Sequence, residues 1–254
     1  MKIFIDTAEL REIRAACSWG IVDGLTTNPT LIRKAVQARE SVDIGSYIAE
    51  ICKTVPGPVS LEVGSLDEET MVQEATSLFR RFNPISQNVV IKIPANTSTG
   101  DGQPDFEGLK AMTQLSERGI PVNATLIMTP EQALLCAKAG AKYVSPFMGR
   151  VDDFNKESQK SRGSSEPAAS GEQLVFDIVQ VLGSYQFDCE VIAASVRHVA
   201  HVRAAEMSGA HIATIPFRVL LEMARHPKTV EGIRRFTSDL VPEYSELLSS
   251  LPLT

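Results

Sequence analysis

Residues 89–93 read Val-Val-Ile-Lys-Ile. A short β-branched run bounded by polar segments is a strand signal, and a run apolar on both faces belongs to a parallel sheet covered on both sides. Lys92 breaks that rule. Side chains alternate along a strand, so Val89, Ile91 and Ile93 share one face and Lys92 takes the other. Seven further runs of this kind occupy residues 2–6, 24–28, 59–63, 122–127, 143–147, 191–195 and 212–217. Amphipathic stretches lie between them at 7–17, 68–82, 106–118, 130–139, 173–183 and 199–208. Strands alternating with helices along a whole chain make a parallel sheet with crossover helices. Eight repeats in 254 residues predict an α/β fold, a closed (β/α)8 TIM barrel filling 1–254 as one domain, with a doubly wound sheet as the alternative. Helical tracts at 220–226 and 230–248 would finish and cap the barrel.

Two segments interrupt the rhythm. Residues 96–105 (NTSTGDGQPD) are polar and glycine-rich, and 152–172 (DDFNKESQKSRGSSEPAASGE) is poor in apolar side chains. Both follow strands, so both are expected as loops at the strand C-terminal rim. The second is long enough to be mobile.

Composition narrows the function. Hydrophobic residues make up 43% and charged residues 22%, the range of folded globular chains. The net charge of -6 argues against a general grip on nucleic-acid phosphates, though not against a local arginine cluster for a small phosphorylated ligand. Cys17, Cys52, Cys136 and Cys189 are dispersed, as expected of reduced thiols in the cytoplasm. Asp6 falls too early for a signal-peptide apolar region, and no apolar run approaches a membrane span.

The other strands share the oddity of residues 89–93. Glu62 opposes Leu61 and Val63; Asn123 and Thr125 oppose Val122, Ala124 and Leu126; Ser195 opposes Ile192 and Ala194. If the apolar faces pack on the helices, then Asp6, Asn28, Glu62, Lys92, Asn123, Thr125, Ser145 and Ser195 all face the barrel interior. They lie near strand C-termini, where barrel enzymes place their sites. Each has a plain alternative. A strand lysine can guard an exposed edge, Asp6 can cap a helix, and Asn28 before Pro29 can serve a turn. Burying them together is costly unless they are paired or working. A buried lysine amine in its neutral form attacks carbonyl carbon to give a Schiff base, whose iminium accepts the electrons of a neighbouring C–C bond. No GxGxxG, P-loop or HExxH motif is present, and no cofactor or metal is predicted. His198 and His201 are spaced i, i+3 without a third ligand and read as surface helix residues. Arg150 and Arg197, after the sixth and seventh strands, suit a phosphate together with Ser195.

The motifs that contain these residues resemble the transaldolase family. They are KIFIDT with Asp6, LTTNPTLI from Leu25, SLEV from Ser60, VVIKIP from Val89, NATLI from Asn123, SPFMGR from Ser145 and AASVR from Ala193. The likeness runs along the chain and is nearest the short-chain members. It implies a class I, cofactor-free enzyme of the non-oxidative pentose phosphate pathway. Such an enzyme moves a dihydroxyacetone unit from fructose 6-phosphate or sedoheptulose 7-phosphate to glyceraldehyde 3-phosphate or erythrose 4-phosphate. Carried over motif by motif, Lys92 forms the Schiff base and Asp6 is the acid/base at the C–C bond. Glu62 acts through a water shared with Thr125. Asn28, Asn123 and Ser145 hold the dihydroxyacetone hydroxyls, Phe147 lines the site, and Arg150, Ser195 and Arg197 hold phosphate. The resemblance also implies a homo-oligomer, with sugar phosphates as the small-molecule partners and neither nucleic acid nor membrane. The rival reading is a fructose 6-phosphate aldolase releasing free dihydroxyacetone; those enzymes resemble this chain with Gln in place of Glu62 and Tyr in place of Phe147. A non-catalytic sugar-phosphate-binding barrel is the reading from another class, and it would need neither the lysine nor its carboxylates.

Overall fold

The computed structural model describes residues 1–37, 43–100, 105–162 and 169–251. The chain runs β1 (Lys2–Asp6), α1 (Leu10–Ser18), β2 (Gly24–Thr26), α2 (Pro29–Gln37), α3 (Ile44–Thr54), β3 (Val59–Glu62), α4 (Glu68–Ser86) and β4 (Val89–Pro94). It continues with α5 (Glu107–Glu117), β5 (Val122–Ile127), α6 (Pro130–Lys138), β6 (Tyr143–Pro146), α7 (Met148–Arg162) and α8 (Gly171–Ser184). The last elements are β7 (Glu190–Ala193), α9 (Val199–Met207), β8 (Ile212–Ile215), α10 (Phe217–Met223), α11 (Pro227–Ser238) and α12 (Pro242–Ser250). The eight strands pair in chain order, all parallel, and β8 returns to β1. This is a (β/α)8 TIM barrel, as the strand–helix rhythm predicts.

Two cores follow from strand parity. Ile5, Leu25, Leu61, Ile91, Ala124 and Val144 point outward into the main core against the helices. Phe4, Val90, Tyr143, Ile192 and Ile212 form a separate apolar plug within the barrel. Gly24 makes room for it: a Cβ there would lie 2.5 Å from the Phe4 ring. Two residues further along their strands, on the same face, come Asp6, Lys92 and Ser145. The plug therefore forms a floor, and the polar side chains stand on it.

Strand ends depart from simple alternation. In β7, Ile192 belongs to the interior plug, so the expected parity of this strand is reversed and Ala194, not Ser195, continues its inward row. Ser195 lies just past the strand with φ +58°, and this left-handed turn redirects its side chain. In β5 the register with β6 shifts between Ala124 and Ile127. Leu126 has φ +58° there, and Ile127 takes the buried place.

The expected loop at 152–172 is helical in its first part. α7 extends to Arg162 and α8 starts at Gly171, while 163–168 lie outside the described residues. Low apolar content does not prevent a helix rich in Glu, Lys, Gln and Arg when its first turn is anchored. Met148 is fully buried, and Asp152 Oδ1 accepts from the Gly171 N–H at 2.8 Å. The described residues of the earlier polar segment are irregular, with Thr97 Oγ1 donating to Asp105 Oδ1 at 2.7 Å; 101–104 lie outside the described residues. At the C-terminus α10 packs Val219 and Leu220 into the core, whereas α11 and α12 bury no side chain.

Candidate active site

The sheet registers place the reactive side chains before any tertiary detail is considered. Glu62 pairs with Lys92, and Lys92 with Asn123, so three strands present a carboxylate, an amine and an amide in one row. Asp6 pairs with Thr26 on the other side of the barrel. Lys92 is 5% exposed. Its Nζ donates to the Thr27 carbonyl at 3.0 Å and lies 3.2 Å from Glu62 Oε2. That contact is an ion pair by distance without hydrogen-bond geometry, so Glu62 Oε2 has no hydrogen-bond partner among the described residues, and neither has Thr125 Oγ1. Leaving buried acceptors unfilled costs about 1–3 kcal/mol each, more for a charged one.

Asp6 is not a helix cap; Glu9 caps α1 instead. Asp6 Oδ1 accepts from Thr26 Oγ1 at 2.8 Å, and Thr26 Oγ1 lies 2.6 Å from Thr214 Oγ1. Because the Thr26 proton is committed to Asp6, Thr214 must donate to Thr26. Burial raises the Asp6 carboxyl above the ordinary carboxylate range, opposed by the charge of Lys92 and the Thr26 hydrogen bond. A second chain runs through Asn123: its Nδ2 donates to Ser60 Oγ at 3.1 Å and its Oδ1 accepts from Ser145 Oγ at 2.7 Å. Asn28 stands at the start of α2 rather than in an isolated turn, and it borders the cavity. Its Oδ1 accepts from the Leu31 N–H in the first turn of α2.

A cavity of about 260 Å³ opens above Lys92. Of the residues expected from sequence, Asp6, Asn28, Lys92, Ser145, Phe147, Arg150, Ser195 and Arg197 line it. Glu62, Asn123 and Thr125 are not in its lining; Glu62 touches Lys92, Asn123 touches Ser145, and Thr125 is fully buried two residues beyond Asn123 on β5. At the mouth the Arg150 guanidinium stands 5.5 Å from the Phe147 ring centroid, and Arg197 Nη2 donates to Asp153 Oδ2 at 2.9 Å. Six lining residues escaped the sequence reading: the apolar Ala194, Val196 and Pro216, and the polar Thr26, Thr214 and Arg218. Alternation already turns Thr214 inward beside Ile212, whereas nothing local signals Arg218. His201 is a correction. It is buried, not a surface residue, because its ring packs against His198 and reaches Asp152 Oδ2 with Nε2 at 3.0 Å. The four cysteines are free, and burial pushes the thiols of Cys136 and Cys189 up to about 12.

A buried amine beside a carboxylate, a second carboxylate across the cavity and arginines at the mouth can bind an anionic carbonyl compound and form an imine with it. Comparison with known proteins points the same way. The family model described as Transaldolase/Fructose-6-phosphate aldolase matches residues 3–250. A "Probable transaldolase" of Thermoanaerobacter sp. (strain X514) is 46% identical over 239 residues, covering 94% of this chain and 96% of that protein. The protein of the same name from Aquifex aeolicus (strain VF5) is 44% identical over 245 residues, 96% of this chain and 99% of that one. That of Caldicellulosiruptor saccharolyticus is 47% identical over 240 residues, 94% and 96% of the two chains.

Proposed function

The chain belongs to the transaldolase/fructose-6-phosphate aldolase family, and from that premise we propose that it is a transaldolase working through a Schiff base on Lys92. The observation that carries the reading is the buried Lys92 amine, 3.2 Å from Glu62 Oε2 and in one cavity with Asp6. The Lys92 amine adds to C2 of fructose 6-phosphate, and the carbinolamine loses water to give an iminium. Glu62 and Thr125, each with an unfilled buried oxygen, together can hold a water that relays the protons of this step. The Asp6 carboxylate takes the C4 hydroxyl proton, the C3–C4 bond breaks, and its electron pair flows into the iminium to give an enamine. Glyceraldehyde 3-phosphate leaves. C3 of the enamine then adds to the aldehyde of erythrose 4-phosphate while Asp6 returns its proton to the new alkoxide. Hydrolysis of the resulting iminium releases sedoheptulose 7-phosphate and restores Lys92. Asn28, Asn123 and Ser145 hold the hydroxyls of the three-carbon unit, and Arg150, Ser195 and Arg197 hold the phosphate.

Transfer and simple cleavage diverge at the enamine. Transfer needs it to wait for an acceptor; release of free dihydroxyacetone needs it to be protonated and the imine hydrolysed. Glu62 can move protons at Lys92, whereas a glutamine would keep the shape without exchanging a proton. Phe147 brings no phenol hydroxyl into the cavity. The releasing aldolases resemble this chain with Gln and Tyr at these two positions, and it is the match of Glu62 and Phe147 to the transferring enzymes that favours transfer. Glyceraldehyde 3-phosphate should therefore form from fructose 6-phosphate much faster with erythrose 4-phosphate than without it, and Glu62→Gln should shift the balance towards release while keeping the imine. Equal rates with and without acceptor would replace this reading by the aldolase one.

The same family reading extends to assembly. Val230, Ile233 and Phe236 lie on one face of α11, and Tyr244, Leu247 and Leu248 repeat the pattern on α12, all exposed. A second copy of the chain would cover these helices in a homo-oligomer. Sedimentation should give a mass well above the 27.6 kDa of one chain, and Ile233→Asp with Phe236→Asp should lower it. A native species of 27.6 kDa would refute the assembly. Among the described residues no helix is long and apolar enough to cross a membrane, and the unpaired thiols suit a reducing compartment such as the cytoplasm.

A further inference from the structure

We propose that His201, backed by Asp152, is a positioning residue for phosphate recognition: it holds the main chain at Arg197, and with it the Ser195–Arg197 turn that receives the substrate's phosphate. The inference rests on the reading of Ser195 and Arg197 as phosphate ligands. The Arg197 N–H donates to His201 Nδ1 at 3.2 Å, and on the far side of the ring Nε2 lies 3.0 Å from Asp152 Oδ2. Asp152 is itself fixed, because its Oδ1 accepts from the Gly171 N–H at the start of α8. The Arg197 carbonyl accepts from Arg218 Nη2 at 2.8 Å, and the Arg197 guanidinium donates to Asp153 at 2.9 Å. Gly149 closes the packing beneath; a Cβ there would stand 2.2 Å from the Ser195 carbonyl oxygen and 2.9 Å from Arg197 Cγ. Helices α7, α9 and α10 thus converge on one stretch of main chain.

This stretch needs restraint. Ser195 has φ +58°, a conformation that costs a non-glycine residue about 1–3 kcal/mol and persists where the surroundings hold it. Ring chemistry separates His201 from a space-filling aromatic, because both nitrogens are in use. With Nδ1 accepting from Arg197, the proton sits on Nε2 and points at Asp152. Burial, followed by His198, holds the imidazole below its ordinary value; Asp152 pulls the other way, and Arg197 adds to the lowering. The neutral ring keeps the Nδ1 lone pair that Arg197 requires.

Two near-isosteric substitutions divide the ring's contacts. His201→Asn puts an oxygen where Nδ1 was and loses the Asp152 contact. His201→Gln reaches Asp152 and leaves the Arg197 N–H without an acceptor. Two quantities report on the phosphate end: the ratio of kcat/KM for fructose 6-phosphate to that for fructose, and the inhibition constant of inorganic phosphate. Arg197→Ala, measured in parallel, should lower the ratio by roughly one to two decades, the worth of a charge-assisted hydrogen bond. His201→Gln should lower it about tenfold and weaken phosphate inhibition to match, as the loss of one neutral hydrogen bond predicts. His201→Asn should recover most of both. If Arg197→Ala changes the ratio while His201→Gln leaves it native, the positioning role is overturned and the phosphate reading stands. If Arg197→Ala itself leaves both quantities native, the phosphate reading fails and this proposal fails with it. Should His201→Gln not fold, as judged by thermal melting, His201→Asn decides: a loss as large as that of Arg197→Ala overturns the proposal.

Discussion

Lys92→Met is expected to abolish transfer. Enzymes supply roughly six decades or more over the uncatalysed reaction, and in the proposed mechanism nearly all of that depends on the covalent step. Methionine keeps the length and apolar stem of the side chain but offers no amine, so neither iminium nor enamine can form. The fold should also feel the change. Lys92 is buried and Glu62 partly so, and the two stand as an ion pair; deleting one member of a fully buried pair leaves the other uncompensated at a cost of about 3–5 kcal/mol, the upper bound here. Thermal melts of Lys92→Met should therefore show a large loss. Adding Glu62→Gln to that variant should restore part of the stability and none of the activity. Residual turnover above background in Lys92→Met would mean that another group carries the chemistry.

Asp6→Asn should have the next largest effect. In the proposed mechanism its carboxylate takes and returns the hydroxyl proton at the bond that breaks, a role worth roughly two to four decades in kcat. The same mechanism gives imine formation to Lys92 and Glu62, so covalent trapping should survive while turnover collapses. The pH profile supplies an independent sign. Cleavage requires ionised Asp6, and burial raises its carboxyl above the ordinary range despite Lys92 and Thr26. The rate should therefore rise with pH through a limb lying above the usual carboxylate value, and Asp6→Asn should flatten that limb. An unchanged profile in Asp6→Asn would assign the limb to another group.

Strand interiors were the legible part of this chain. Alternation turned Lys92 and Glu62 inward from residues 89–93 and 59–63, and their registers do place them side by side. Alternation failed on β7, where Ile192 takes the inward face, and beyond the strand ends. Ser195 reaches the cavity through a left-handed turn beyond β7, and no pattern of period two contains that. Long-range partners were equally hidden. His201 looks like one polar residue on a short helix until α7 brings Asp152 to its Nε2, and Arg218 enters the site only because α10 starts beside Arg197. α7 was hidden for another reason: with few apolar side chains, its helicity rests on propensity and an anchored first turn, which hydrophobic periodicity does not detect. α11 and α12 show the converse. Their apolar faces are plain in the sequence, but a face does not state what covers it.

In the proposed mechanism Lys92 carries the substrate covalently. Borohydride reduction in the presence of fructose 6-phosphate, followed by mass spectrometric mapping of the peptides, tests it most directly. One reduced adduct is expected, on Lys92, appearing in step with loss of activity and absent from Lys92→Met. An adduct on another lysine with Lys92 unmodified, or no adduct under conditions where the native protein turns over, would contradict it.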